Sequence, residues 1–300
     1  MPRRRPARIA HPGIGYLFLS PWVLGALLLT VGPMLASLCL SFTDYDLMTR
    51  PRWVGLDNYR RLFADERFRS AVGVTLRYVL LSTPLKLLAA LAVALLLNRA
   101  SRLQGAYRAA FYAPSLLGAS VAVALVWRVI FDTNGIADRG LAAVGVHTGG
   151  WIASPRYALY TLVVLAVWQF GAPMVIFLAG LQQIPRQLYD AAAVDGAGWW
   201  RTLWSVTLPM LSPVVLFNLV LETIHAFQAF TSAFVVSGGR GGPSDSTLFY
   251  TLYLYQKGFT EYRMGYASAM AWLLVLVVAV VTAVLFRTAR LWVFYAQDAR

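Results

Sequence analysis

The feature that most constrains this chain is an unbroken stretch without a charged side chain, from Ile14 to Leu40. An α-helix needs about 20 mostly apolar residues to cross about 30 Å of hydrocarbon, so the stretch is long enough to span a membrane. Arginines at positions 3, 4, 5 and 8 precede it, as in a signal peptide. The apolar region of a signal peptide is only about 7 to 15 residues long, so we interpret the stretch as an uncleaved first span.

Further apolar stretches of similar length follow along the chain. The predicted spans are Ile14–Leu40, Tyr78–Leu97, Tyr107–Phe131, Tyr157–Leu181, Met210–Val236 and Met264–Phe286. Backbone polar groups must be paired in lipid, and stretches this long and rich in Leu, Ala and Val pair their own only as helices. The prediction is therefore an all-α polytopic membrane protein with about six transmembrane helices. Residues 1–13 and 288–300 are predicted cytoplasmic tails, and residues 14–287 are the predicted transmembrane domain.

Composition also favours a lipid environment over a nucleic-acid partner. Hydrophobic residues make up 59% of the chain and charged residues 13%, against about half and a quarter in soluble domains. The net charge of +13 would suit nucleic acid, but the arginines are scattered between apolar stretches instead of clustering on one face. Cys39 is the only cysteine, and the three histidines lie at different predicted depths. No disulfide, metal site or catalytic group is therefore predicted.

The orientation of the spans should follow the basic residues of the short loops, which favour the cytoplasm. With an even number of spans both termini share one side, and the basic residues divide almost equally between the two sides. The amino-terminal arginines directly abut the first span, whereas basic residues on the other side are interleaved with acidic ones. We therefore predict that both termini are cytoplasmic.

The loop after the first span contains the sequence GLDNYRRLFADERF, residues 55–68. Asp57 could cap a helix that places Tyr59, Leu62 and Phe63 on one side. This pattern predicts an amphipathic helix that lies at the outer membrane surface.

The most informative segment lies between the fourth and fifth spans, from Ile184 to Pro209. Pro185 should end the preceding helix, and Asp190 and Asp195 are natural helix caps. We expect a short helix, a tight turn at Asp195-Gly196, a second helical piece through Trp204 and a stop at Pro209. The alanines and glycines of this segment would let the backbone of another protein come close, which predicts a docking element.

This segment resembles the EAA loop of ABC importer permeases. The similar residues are Asp190, Ala191, Ala192, Asp195, Gly196, Ala197 and the later Leu208-Pro209, with Asp190 in place of the usual glutamate. Other pieces resemble the carbohydrate branch of that family, of the maltose and glycerol-phosphate type. They are Ser41-Phe42-Thr43, residues 54–59 (VGLDNY), Ala179-Gly180-Leu181 before Ile184-Pro185, and residues 265–269 (GYASA).

The resemblance implies a type I ABC importer permease in the bacterial inner (plasma) membrane, with a coupling loop at residues 185–209. It implies a second, homologous permease subunit, a dimer of ATP-binding cassette ATPases docked on the EAA loops, and an extracytoplasmic solute-binding protein. The chain has no phosphate-binding Gly-x-x-x-x-Gly-Lys motif, because neither Lys86 nor Lys257 has that context. ATP and Mg²⁺ are therefore expected on the partner ATPase, with no cofactor on this chain and no enzymatic activity of its own.

The fifth span carries a polar stripe that is a candidate substrate path. Asn218, Glu222, His225 and Ser232 fall near one line at the 100° spacing of a helix, with Gln228 at its margin. Polar groups at membrane depth are tolerated where they line a cavity or bond between helices, and the sequence leaves both interpretations open. The resemblance to maltose-type permeases places sugar contacts at His225 and Gln228, and also at Trp168 and Gln169.

Two other functions stay open at this point. Lys86, Glu222 and His225 could form the ion relay of a secondary transporter, although no inverted repeat is evident. Asp44 and Asp46 have the spacing of a metal-binding pair in a membrane-embedded glycosyl or lipid transferase. The sequence does not show whether Lys86 and Glu222 meet.

Overall fold

The computed structural model describes residues 12–98, 104–117, 120–143, 145 and 150–294, almost all of them helical. Two compact units are distinguished, one of residues 1–62 and 257–273 and one of residues 63–256 and 274–300. The helices are α1 (Pro12–Ala26), α2 (Gly32–Ser41), α3 (Asp57–Ala64), α4 (Glu66–Leu97), α5 (Gln104–Leu117), α6 (Val121–Phe131), α7 (Ile136–Ala142), α8 (Ala158–Trp168), α9 (Gly171–Gln183), α10 (Arg186–Val194), α11 (Trp199–Thr202), α12 (Leu208–Phe227), α13 (Thr231–Val236), α14 (Tyr250–Tyr255) and α15 (Met264–Trp292). A short hairpin of β1 (Thr43–Asp44) and β2 (Arg52–Trp53) completes the fold.

The long apolar helices confirm the predicted class of fold. Within the described residues, four helices are long and apolar enough to cross a membrane, and the number is six if each of two bent pairs is one span. The third predicted span, Tyr107–Phe131, is not one straight helix, because α5 and the helical segment that starts with α6 meet at 94°. Ser120 starts α6 by accepting a hydrogen bond from the Ala122 amide, and this cap begins a new helix where the sequence reads as continuous.

The predicted stop at Pro209 is wrong. The helix runs on through this residue, because a π-helical turn at Leu203–Thr207 directly precedes it. A proline nitrogen has no hydrogen to donate, so one carbonyl of the preceding turn loses its usual partner. The wider π-helical turn changes the hydrogen-bond pattern at this point, so that the helix can continue through the proline. The same arrangement recurs in the first span, where a π-helical turn at Leu27–Val31 precedes Gly32-Pro33.

Helix α4 is the central element of the larger unit. It packs against α8, α9 and α12, and its lower half joins a buried apolar cluster that includes Ala90, Phe177 and Leu211. Gly180 of α9 allows the close approach of α12, since a Cβ there would lie 2.8 Å from Leu211 Cδ1. The helix begins before the predicted span start at Tyr78, at Glu66, behind Asp65, whose side chain caps it.

The two ends of α4 hold different parts of the chain. At its first turn, Arg67 forms two 2.9 Å hydrogen bonds with Asp245, and the Tyr253 hydroxyl donates to Asp65 at 2.6 Å. At its last turn, Asn98 shares a cavity with residues of the segment 185–209. With 32 residues, α4 is about 48 Å long at 1.5 Å per residue, which is more than the hydrocarbon thickness. The glycine-rich loop 237–249 and the segment 185–209 therefore lie at opposite ends of a helix that is long enough to cross the membrane.

The smaller unit brings together three pieces that are far apart in the sequence. The Asn58 amide donates 2.9 Å hydrogen bonds to the carbonyls of Ser41 and Thr43, and the Tyr59 hydroxyl lies 2.9 Å from Ser41 Oγ. Gly265 packs so closely on Thr43 that a Cβ would overlap its carbonyl oxygen. Each piece thus contributes to one cluster.

Helix α3 corrects two details of the predicted amphipathic helix. Asp57 is its first residue and pairs with Arg61 at 2.6 Å instead of capping the amide groups. Asn58 and Leu62 form the buried side, whereas Phe63 is exposed. The hydrophobic pattern therefore grouped Leu62 with Phe63, whereas in the structure Leu62 shares the buried side with Asn58.

Candidate functional site

The segment 185–209 folds as a helix, a left-handed turn and a second helix. Helix α10 begins after Pro185, as predicted, and ends at Val194. Gly196 adopts φ +68°, its amide donates to Ala193, and the Ala197 amide donates to Ala192 at 2.9 Å. This pair of bonds is the Schellman ending of a helix, in which glycine takes the left-handed position without steric cost. The predicted tight turn at Asp195-Gly196 is present.

The expectation that Asp190 and Asp195 cap helices is wrong for Asp190, whereas Asp195 occupies the C-cap position of α10. Asp190 lies within α10, and Asp195 follows the last residue of α10 at the carboxyl end. Gly198 is the residue that precedes α11. Since neither aspartate is used within the element and both are exposed, their carboxylates are available to another molecule.

A groove runs between the two helices of this segment. Its volume is about 300 Å³, and its walls include Ala191, Ala192, Asp195, Ala197 and Arg201. No residue of α10 is buried, and Val194 is 88% exposed. The small side chains leave the backbone accessible, which is the property expected of a docking surface.

Tyr189 joins this segment to the transmembrane core. Its hydroxyl lies 3.3 Å from Thr207 Oγ1 in the π-helical turn, and its ring packs against the cluster formed by α4, α9 and α12. Tyr189 is therefore the contact between α10 and the helices that carry the second candidate site.

That second site is a cavity of about 280 Å³ in the middle of the larger unit. Helices α4, α8 and α12 and the segment 228–232 form its walls. Its polar lining consists of Tyr78, Ser82, Thr83, Lys86, Gln169, Glu222, His225, Gln228, Thr231 and Ser232. The cavity is of the size of a small ligand pocket, and many of its groups offer hydrogen bonds.

Lys86 and Glu222 meet in this cavity. The distance from Lys86 Nζ to Glu222 Oε2 is 2.7 Å, and the side chains are 15% and 10% exposed. Paired charges of this kind are how ionisable groups are usually accommodated at membrane depth. The pair links α4 to α12 and brings no net charge to the cavity.

Two of the predicted substrate contacts lie where helices are interrupted. Gln169 is the residue after α8, at the 41° bend toward α9, and Gln228 follows the last residue of α12. Irregular backbone at membrane depth occurs where it lines a cavity or is buried in protein. His225 and Gln228 are exposed on the cavity side of this interruption, so the structure brings these residues together with Glu222 and Gln169.

Asn218 and Trp168 lie elsewhere. The Asn218 amide is buried and donates to the Pro173 carbonyl at 3.4 Å, which is a bond between helices. Trp168 is 37% exposed and packs beside Trp127 with ring centroids 5.9 Å apart. Neither residue lines the cavity.

One wall of the cavity is supplied by α4, and apart from Lys86 its residues were not predicted from the sequence. Tyr78, Ser82 and Lys86 recur at intervals of four residues, and Thr83 adds a buried hydroxyl. The hydroxyl oxygen of Thr83 has no hydrogen-bond partner among the residues that the structure describes. The spacing of four was the signal that could have revealed this stripe.

Asp44 and Asp46 do not form a metal-binding pair. Asp44 lies in β1 beside Arg52 at 3.5 Å, whereas Asp46 accepts hydrogen bonds from the Met48 and Thr49 amides and the Thr49 hydroxyl. The bonds from Thr49 lower the pKa of Asp46 below its ordinary value. In the described part of the chain, no cluster of three metal-ligating side chains occurs.

Comparison with known proteins identifies the family. Residues 67–292 match the family described as the binding-protein-dependent transport system inner membrane component. The chain belongs to this family. It is a permease, and not an enzyme, and it has its place in the inner membrane.

Individual relatives agree over nearly the full length. The permease is 49% identical to a probable ABC transporter permease of Bacillus subtilis, YesP, over 94% of this chain and 92% of that protein. It is 32% identical to the lactose transport system permease LacF of Rhizobium radiobacter, over 92% and 94%. A bacterial alginate ABC transporter, solved in complex with an alginate pentasaccharide-bound periplasmic protein, has a chain with a TM-score of 0.80 at 21% identity, covering 92% and 94%. The fold is therefore that of an ABC importer permease.

Family membership decides between the functions that the sequence left open. An ABC permease is neither an ion-coupled secondary transporter nor a transferase, so both alternatives are wrong. The Lys86–Glu222 pair, which could have been part of an ion relay, is a feature of a permease cavity.

Proposed function

We propose that this permease forms half of the route by which an ATP-driven importer carries a sugar or an oligosaccharide across the membrane. The proposal rests on the cavity that brings together Gln169, Glu222, His225 and Gln228. The same unit also contains the exposed segment 185–209, which we call the coupling segment. Curated relatives support the solute class by their names, which include permeases for lactose and arabinooligosaccharides.

The chemistry of the cavity suits a saccharide. Sugar hydroxyls both donate and accept hydrogen bonds, and amides, hydroxyls and an imidazole offer both kinds of partner. Because Lys86 is neutralised by Glu222, the cavity favours an uncharged saccharide over a glycerol-phosphate compound. The cavity is small because this chain forms only half of the route, and a second, homologous permease would supply the facing wall.

The proposed partners follow from the two ends of α4. A dimer of ATP-binding cassette ATPases, with ATP and Mg²⁺, would dock on the groove of segment 185–209 in the cytoplasm. A solute-binding protein would deliver the sugar on the opposite side, where the loop 237–249 lies. Closure of the ATPases would move α10 and, through Tyr189, change the packing of α4, α9 and α12 around the cavity. With the segment 185–209 in the cytoplasm and an even number of spans, both termini would be cytoplasmic as well.

Uptake into proteoliposomes tests this proposal. The chain would be reconstituted with its second permease, ATPase and binding protein, and ATP-dependent uptake of labelled oligosaccharides measured. Gln228→Ala should lower the uptake rate about three- to tenfold, because one or two hydrogen bonds to the moving sugar are lost. Leu88→Ala, at an exposed position of α4 outside the cavity, is a control that should retain the rate. Uptake driven by an ion gradient without ATP would contradict the proposal.

A further inference from the structure

A second cavity, of about 470 Å³, lies on the other face of α4 and has no part in the proposed route. Arg77, Leu80 and Leu81 line it from α4, and Arg156 and Tyr160 line it from the start of α8. Lys86 follows Arg77 by nine residues, which is about two and a half helical turns. The two cavities therefore open on opposite sides of this helix.

The two arginines give this cavity a positive charge that nothing in the described chain neutralises. No carboxylate lines it, and neither arginine forms a salt bridge within the described residues. Arg156 lies over the ring of Tyr157 at 5.7 Å, which leaves its guanidinium edge free to donate. Two guanidinium groups beside one concavity suit a phosphate or carboxylate.

A third polar group points to the same kind of ligand. Ser246 lines the cavity, and its hydroxyl oxygen is buried without a hydrogen-bond partner among the described residues. A buried hydroxyl without a partner is costly, and an anion in the cavity would accept its hydrogen bond.

The depth of the cavity points to lipid as the source of the anion. Arg77 and Arg156 each immediately precede an apolar stretch, which begins at Tyr78 in one case and at Tyr157 in the other. Both guanidinium groups therefore lie at the same membrane–water interface. Leu80 is 71% exposed and Tyr160 49%, and they continue the cavity with an apolar surface toward the hydrocarbon.

We propose that this cavity binds an anionic phospholipid. The phosphate contacts Arg77, Arg156 and the Ser246 hydroxyl, and an acyl chain lies along Leu80, Leu81 and Tyr160. The lipid bridges the first part of α4, the start of α8 and the loop before α14, and so stabilises the outer end of the permease.

Native mass spectrometry of the full chain can test this assignment. The protein would be purified in detergent containing equal amounts of phosphatidylglycerol and phosphatidylcholine, and the ratio of retained lipids measured. The ratio should fall about fivefold for Arg77→Gln, about fivefold for Arg156→Gln, and further for the double variant, since each basic residue near anionic lipid contributes about that factor. Arg156→Lys, which keeps the charge, should retain most of the preference.

Arg69→Gln is the matched control, because Arg69 is exposed on the same helix and its replacement removes the same charge. The proposal is overturned if the double variant keeps the wild-type ratio, or if Arg69→Gln lowers it equally. The thermal midpoint of each variant shows that it is folded.

Inorganic phosphate added to the wild-type protein distinguishes the two sources of anion. Lipid retained against phosphate supports the assignment, and lipid displaced by phosphate would show a site for free anions instead.

Discussion

Among single residues, Lys86 and Glu222 matter most for the cavity, because they form its buried ion pair. Each charge alone would be costly at membrane depth, and together they connect two helices across a polar space. The sequence showed both residues, but 136 positions separate them, so only the packing of α4 on α12 could show that they meet. The same packing separates Asn218 from His225, which share a stripe on α12 but differ in what they touch.

Removing one partner of this pair should destabilise the permease. Glu222→Gln leaves the Lys86 ammonium without its counter-charge, and we expect a loss of roughly 3 kcal/mol, near the lower end for buried pairs because the cavity is open. The thermal midpoint of the purified chain, followed by tryptophan fluorescence, measures the effect. The double variant Lys86→Met/Glu222→Met should recover most of the loss, because no unpaired charge remains. A double variant that is less stable than Glu222→Gln would show that the pair does not act as a unit.

At the scale of elements, the coupling segment was the most predictable part and also the source of the clearest errors. The helix after Pro185 and the turn at Gly196 follow from local rules of proline and glycine. The continuation through Pro209 does not, because the π-helical turn that permits it has no signature in one sequence. A cap was assigned to Asp190 from its residue type, whereas the residue that caps a helix depends on where the turn falls, and here that residue is Asp195.

Gly196 and Gly198 make a matched pair for testing this turn. Gly196 has φ +68° and Gly198 precedes α11 in extended backbone. Gly196→Ser should strain the turn by about 1 to 2 kcal/mol and reduce recovery of the ATPase with the tagged permease from membranes. Gly198→Ser, which places a good capping residue before α11, should leave recovery unchanged. Equal recovery in both variants would mean that the turn geometry does not determine docking.

The close contact of α9 with α12 allows a second comparison between glycines. Gly180→Val would force side-chain atoms into Leu211 and Val214, and overpacking of this kind costs about 1 to 3 kcal/mol. Gly73 of α4 has open space around its Cβ position, so Gly73→Ala should raise stability slightly by its helix propensity. Thermal midpoints of the two variants should therefore move in opposite directions. A stable Gly180→Val variant would show that the helices can separate at this point.

For the whole molecule, the class of fold follows from the length of the apolar stretches, while the arrangement of the pieces does not. The VGLDNY and GYASA sequences suggested a family, and the structure gives the reason they occur together, since Asn58 and Gly265 both pack on the residues after α2. The bends at residue 120 and at Gln169 could not be predicted, because apolar composition continues through both. Orientation was nearly undecided from basic residues, but the structure shows that the loop 237–249 and the segment 185–209 lie at opposite ends of α4.

The single cysteine makes this orientation directly measurable. In a Cys39→Ser background, Val194→Cys and Arg240→Cys each place one thiol on an exposed position, in the coupling segment and in the loop 237–249 respectively. With the proposed topology, a membrane-impermeant maleimide added to intact cells, or to spheroplasts if an outer membrane blocks it, should label only Arg240→Cys. Val194→Cys should react only after the inner membrane is permeabilised. The reverse pattern would place the coupling segment outside the cell, where no ATPase could reach it, and would overturn both the orientation and the proposed docking surface.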